Sequence, residues 1–272
     1  MLKLDLTELK QIEFDLLVQF RNICDANGFR YSLLAGTLLG AVRHKGFIPW
    51  DDDIDVMMPR EDYIKFEKYC AENETSFVLL SNKLENRYGY MFSKIYNPDT
   101  IIEELVGNRK KLKSGVFIDI FIYDGFGNTK DEAVENFNRS RFYRELLVAA
   151  NWKTYKKSKT DAWYYEPARF SLFLLSRFVT YEKIIKKIEN MYKGYSFDDS
   201  KYVGNLCSDK RSKSIIERSC FDSFVELEFE GETFKALAGY KKYLCDMYGD
   251  YMKLPPEAHR VTHHTFDAYR KD

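Results

Sequence analysis

Pro49-Trp50-Asp51-Asp52-Asp53-Ile54-Asp55-Val56-Met57-Met58 sets four aspartates directly ahead of an apolar run. Aspartate is a poor strand former and like charges repel, yet Ile54, Val56 and Met57 read as buried strand. Successive side chains of a strand alternate faces, so Asp53 and Asp55 project from one face, about 7 Å apart along the chain. Two carboxylates at that spacing can share a divalent cation with a phosphate chain between them. The cation offsets their repulsion, and hard oxygen ligands favour Mg²⁺ or Mn²⁺. A solvated acidic turn that caps a neighbouring element is the plainer alternative.

Two further stretches weigh against that alternative. Val116-Phe117-Ile118-Asp119-Ile120-Phe121-Ile122 holds one aspartate in an otherwise apolar run. An unpaired ionised carboxylate buried there costs several kcal/mol, so it needs a cation, a set of donors or an exit to a cleft. If the two strands are neighbours, Asp119 completes a three-carboxylate site. Ala35-Gly36-Thr37-Leu38-Leu39-Gly40 follows an apolar run and opens a helix. A Gly-Thr turn at a helix N-terminus presents free N–H groups and a hydroxyl to an anion.

Outward from these stretches the hydrophobic pattern predicts alternating elements. Leu6, Leu9, Ile12, Leu16, Leu17, Phe20 and Cys24 recur at helical spacing. Asp5 and Glu8 form a capping box, and Asn27-Gly28 supplies the stop. Strands are expected at 31–34, 53–58, 77–80, 90–95, 100–105 and 116–122, with a helix over 60–70 whose first-turn position is taken by Pro59. From Lys130 onward the pattern is mainly helical, with strand-like alternation at 224–229 and a last helix from Phe234 to Tyr248. The chain divides as 1–129, 130–220 and 221–272.

The 272 residues contain 42 Lys plus Arg and 42 Asp plus Glu, a balance that argues against a partner read through nucleic-acid phosphates. The longest uncharged stretch, Tyr31 to Val42, is too short to span a bilayer. Charged residues near the N-terminus leave no room for a signal peptide. The five cysteines are widely spaced without a CxxC pair, which fits reduced thiols in a cytoplasm. Between Lys153 and Lys213 there are 14 Lys or Arg against 7 Asp or Glu, interleaved with aromatics such as Trp163, Phe170 and Phe178. That mixture suits reversible contact with an anionic membrane surface; an ordinary helical subdomain with solvated lysines is the plainer reading.

Leu38 through Val56, LLGAVRHKGFIPWDDDIDV, resembles the LicD family of phosphotransferases, whose relatives include fukutin and fukutin-related protein. The likeness continues in Phe92-Ser93-Lys94-Ile95-Tyr96, in Phe117-Ile118-Asp119-Ile120-Phe121, and in Tyr248-Gly249-Asp250-Tyr251-Met252 with Pro255-Pro256. Residues 130–220 carry no matching motif. The resemblance implies an α+β fold: a nucleotidyltransferase-like mixed sheet flanked by helices over residues 1–129, with an additional helical region and a C-terminal strand and helix packing back on the core. It implies phosphate binding by Gly36 and Thr37, metal ligation by Asp53 and Asp55, and ligation or base duty for Asp119. Arg43, Lys45 and Lys94 are candidate phosphate contacts by charge and position.

The implied reaction moves phosphocholine from CDP-choline to a sugar hydroxyl of a teichoic acid or lipopolysaccharide precursor and releases CMP, with Mg²⁺ or Mn²⁺ as cofactor. The implied partners are a CDP-activated alcohol and a glycan or lipid-linked sugar acceptor, in the cytoplasm or at the inner face of its membrane. CDP-ribitol and CDP-glycerol are alternative donors. Attachment of a nucleoside monophosphate to a small substrate is a second enzymatic reading, and a metal- or polysaccharide-binding accessory protein a non-enzymatic one. Trp50 could face a choline ammonium by cation–π contact. His263, His264 and Arg260 could close over the site or form a surface tail.

Overall fold

A short strand, β1 (Leu2–Lys3), leads into α1 (Leu6–Asn27) in a computed structural model that describes residues 1–104, 109, 112–158, 163–207, 214–260 and 266–271. The capping box forms as its spacing requires. Glu8 N–H donates to Asp5 Oδ1 at 2.9 Å, and Asp5 N–H donates to Glu8 Oε2 at 3.0 Å. Gly28, at φ 68°, ends the helix in the left-handed region that glycine enters without strain. The buried stripe of α1 is Leu9, Ile12, Leu16, Leu17, Phe20 and Cys24, and it also contains Glu13.

The next elements are β2 (Ser32–Leu33), α2 (Ala35–His44), β3 (Asp55–Pro59), α3 (Arg60–Glu72), β4 (Val78–Leu80), β5 (Ser93–Tyr96), β6 (Thr100–Glu104) and β7 (Phe117–Gly127). Pro59 is not the first helical residue. It ends β3 and stands as the N-cap of α3, a place its missing N–H also permits. Four helices follow: α4 (Lys130–Arg139), α5 (Arg141–Asn151), α6 (Glu166–Leu175) and α7 (Tyr181–Met191). The helical region also contributes two short strands, β8 (Tyr202–Gly204) and β9 (Ile216–Glu217). The chain closes with β10 (Phe224–Phe229), β11 (Glu232–Leu237), α8 (Tyr240–Tyr248) and β12 (Phe266–Arg270).

The main sheet runs β2-β3-β7-β5-β4, with β8 and β9 continuing from the far end of β7. β3 and β7 pair in parallel, and the other pairs of this sheet are antiparallel. A mixed sheet flanked by helices makes the fold α+β. A second antiparallel sheet, β1-β12-β6, joins the two ends of the described chain. One difference from the sequence reading is instructive. Phe234 to Leu237 is strand, and the last helix starts only at Tyr240. Glu230 at φ 50° and Gly231 at φ 80° make a two-residue turn that folds β11 back on β10. In that strand Phe234 and Ala236 are buried by alternation, a spacing that a helical window also accepts.

One apolar cluster gathers α1, the strands around β3 and β7, the β10–β11 hairpin and α8. Its fully buried members include Phe20, Tyr31, Phe66 and Phe234, each worth roughly 1.5–3 kcal/mol in burial. A second cluster joins α4, α5 and α7 around Phe126, Phe137 and Ile188. Among the described residues no helix is long and apolar enough to cross a membrane.

Candidate active site

The parallel pairing of β3 and β7 sets Asp55 directly beside Asp119. Antiparallel pairing of β5 with β7 sets Lys94 on the other side of Asp119. The two aspartate-bearing strands are therefore neighbours, with Asp55 and Asp119 in register, but Asp53 lies ahead of β3 rather than within it. Lys94 Nζ stands 2.7 Å from Asp119 Oδ1 and 3.2 Å from the centroid of the Phe117 ring. The backbone fixes the aspartates firmly: Asp119 N–H donates to Ile54 O at 2.9 Å, and Leu34 N–H donates to Asp55 O at 3.0 Å.

Helix α2 points its N-terminus into the same region. Leu34 is its N-cap and offers no side-chain cap, while Ala35 sits at φ 45°, a strained value for a residue with a Cβ. A Cβ on Gly36 would lie 2.7 Å from Asp51 Oδ2, so only glycine lets the carboxylate come this close. Asp51, absent from the residues expected at the site, thus lies against the first turn of α2. Thr37 is buried and has another task besides any ligand contact. Its Oγ1 accepts the Asp55 N–H at 2.8 Å and so ties the start of β3 to α2.

These carboxylates strain one another electrostatically. Burial first, then the charges of Asp51, Asp119 and Asp52, lifts Asp53 to about 7, although its edge remains open to solvent. Asp51 hydrogen-bonds Asp53 and is itself raised, chiefly by burial. Asp55 is raised well above the usual range by burial and by Asp53 and Asp119. Burial also raises Asp119, and Lys94 opposes that rise.

Glu13, on the buried stripe of α1, belongs to the same field. It is raised well above its usual value by burial, then by Asp53, Asp52 and Asp119. Among the described residues its Oε2 has no hydrogen-bond partner, nor has the buried Tyr88 hydroxyl that senses Asp119. The stripe itself was the signal: Glu13 falls four residues after Leu9 and three before Leu16.

Orphaned buried oxygens and mutually repelling carboxylates are the donor chemistry of a hard cation. Asp53, Asp55 and Asp119 suit one in type and charge. Among the described residues no three acidic, imidazole or thiol side chains yet converge at metal-holding geometry.

The remaining candidates separate. Arg43 donates to His44 Nε2 at 2.9 Å and to Tyr251 O at 3.0 Å. Its proton affinity is lowered by burial and by the neighbouring charge of Arg260. Arg260 lies over the Trp50 ring at 5.6 Å, so a guanidinium already uses the face the sequence reading offered to choline. Neither arginine pairs with an acid among the described residues, and a guanidinium without an acidic partner attracts an anion. Lys45 instead pairs with Glu228 at 2.9 Å on the surface, away from the carboxylates. His263 and His264 lie outside the described residues.

Residues 28–162 match the description LicD/FKTN/FKRP, nucleotidyltransferase domain. The chain is 34% identical over 273 aligned residues to the lipopolysaccharide cholinephosphotransferase LicD of Haemophilus influenzae, covering 99% of each chain. It is also 27% identical over 190 residues to an uncharacterized protein of Rickettsia typhi, covering 63% of this chain and 54% of the other. A likeness that runs from end to end, through the strands that carry Asp55 and Asp119, places the chain in the LicD family of transferases.

Proposed function

We propose that the protein transfers phosphocholine from CDP-choline to a sugar hydroxyl of a lipopolysaccharide precursor and releases CMP. What supports the reading most is the full-length identity with a lipopolysaccharide cholinephosphotransferase. The geometry suits the chemistry. The N-terminus of α2 and the guanidiniums of Arg43 and Arg260 offer positive charge to the donor's diphosphate. Asp53 and Asp55 would hold Mg²⁺ or Mn²⁺, which supplies charge where the leaving phosphate becomes negative. Lys94, 2.7 Å away, opposes the rise that burial gives Asp119 and so favours the carboxylate form that would accept the proton of the attacking hydroxyl. The hydroxyl oxygen bonds to the phosphorus that bears choline, the bond from that phosphorus to the CMP oxygen breaks, and the proton passes to the carboxylate. The reaction takes place in the cytoplasm, where the acceptor lies at an anionic membrane face.

Mass spectrometry of the acceptor tests this. Lipopolysaccharide core and a teichoic acid precursor are each incubated with CDP-choline, CDP-ribitol and CDP-glycerol. A phosphocholine mass on lipopolysaccharide is the expected product. Transfer only from CDP-ribitol or CDP-glycerol, or addition of the nucleotide itself, would replace the proposed donor chemistry. Transfer only to the teichoic acid precursor would replace the acceptor.

A further inference from the structure

Helix α6 has no buried residue, although Phe170, Leu172, Phe173, Leu174 and Leu175 all lie on it. Its inner side rests on Tyr155, whose ring is 5.2 Å from Phe170 and 5.7 Å from Phe173. Phe170 nevertheless stays 46% exposed, Leu174 and Leu175 are exposed as well, and Phe178 just beyond the helix is 87% exposed. At the other end Trp163 is 78% exposed, with Tyr164 and Tyr165 beside it in a single 3₁₀ turn. Exposed aromatics and leucines gathered on and beside one helix mark a surface that meets a partner.

What lies beside the helix identifies the partner. Residues 153–158 run along α6: Ser158 N–H donates to Glu166 Oε1 at 2.9 Å, and Arg169 donates to Lys156 O at 3.0 Å. Lys153 and Lys157 of that segment are exposed. The carboxylate of Glu166 is already engaged by Tyr155 and Ser158. Tryptophan and tyrosine at one end, phenylalanine and leucine along a helix and exposed lysines in the adjoining segment match the depth profile of a bilayer interface. A partner protein surface of ordinary composition would not need that order.

We propose that the outer face of α6, with Trp163 and Phe178 at its ends, inserts into the headgroup region of an anionic bilayer, with Lys153 and Lys157 on the lipid phosphates. The inference deepens the lipid-borne acceptor of the proposed function. Trp152 and Lys156, behind α6, line a cavity of about 770 Å³ whose lining also includes Phe92. Phe92 stacks on Phe121, two residues from Asp119, at 5.2 Å. The cavity wall therefore adjoins β7, the strand that carries Asp119.

Vesicle flotation tests the docking without any turnover, so failure of the donor assay leaves this result standing. The full chain is floated with phosphatidylcholine vesicles, with or without phosphatidylglycerol, at low and high salt. Wild type is expected to float only with the anionic vesicles and to be released by salt. A Trp163→Glu, Phe178→Glu double variant should partition at least about tenfold less, and Lys153→Glu with Lys157→Glu should lose the preference for anionic lipid. Both pairs are surface residues, so melting temperature and turnover on a soluble acceptor should match wild type. Failure of wild type to bind anionic vesicles would overturn the proposal, as would equal binding by the double variant. A dimer in light scattering that the double variant renders monomeric would instead assign the face to a second copy of the chain.

Discussion

Replacing Thr37 by valine keeps the shape of a buried side chain and removes one oxygen. That oxygen accepts the Asp55 N–H at 2.8 Å, at the point where β3 leaves the acidic run. The unpaired amide then bears a desolvation penalty of about 1–3 kcal/mol; because it is only part-buried, about 1–2 kcal/mol is expected. For a chain of this size that lowers Tm by roughly 2–8 °C. Turnover should fall as well, since the freed strand start carries Asp55. Thr37→Ser restores the acceptor and should recover most of both losses. Thermal and urea melts in parallel with donor titration separate the two roles of the hydroxyl. If Thr37→Val melts like wild type while donor KM alone rises, the hydroxyl serves the donor phosphate and the strand-anchoring argument is wrong.

Asp53→Asn and Asp55→Asn should each remove turnover by roughly a hundredfold or more while the fold persists, and metal-free stability should stay level or rise as repulsion falls; near-normal turnover at saturating Mg²⁺ would refute the assignment. Divalent metal should raise the Tm of wild type more than that of Asp119→Asn, and equal shifts would leave Asp119 no part in holding the metal. Glu13→Gln should stabilise the metal-free protein at neutral pH. The folded state holds the Glu13 proton above the usual value of 4.5, so wild type loses stability as pH rises past that value and the unfolded chain ionises. The gain in Glu13→Gln should vanish as pH falls to 4.5, and a gain that is constant with pH would count against a titrating Glu13.

Local chemistry made much of this legible in advance. Asp5 and Glu8 cap α1 because a capping box needs only residues three apart, and Asp119 betrayed itself as a charge in an apolar run. The acidic run and the Gly36 turn are likewise visible in short windows, although Asp53 stands ahead of the strand that Asp55 begins. Features set by contacts distant in sequence were not. Asp51 matters because it meets Gly36, and Lys45 is drawn to Glu228 by the β10–β11 hairpin. β11 was mistaken for helix because burial of Phe234 and Ala236 fits either period until the Glu230-Gly231 turn is known. Glu13 was legible and overlooked: an acid on the buried stripe of an amphipathic helix is an anomaly of the same kind as Asp119.

The small sheet β1-β12-β6 has a consequence for how the chain is made. Leu2 pairs with Arg270 and Ile101 with Tyr269, so β12 lies between two strands synthesised long before it. On the ribosome, β1 and β6 must wait with unpaired edges until residues 266–270 emerge. An unpaired strand edge is a template for other chains. Truncation ahead of Phe266 would make that waiting state permanent, leaving a product prone to aggregation even though the strands bearing Asp55 and Asp119 lie in the other sheet.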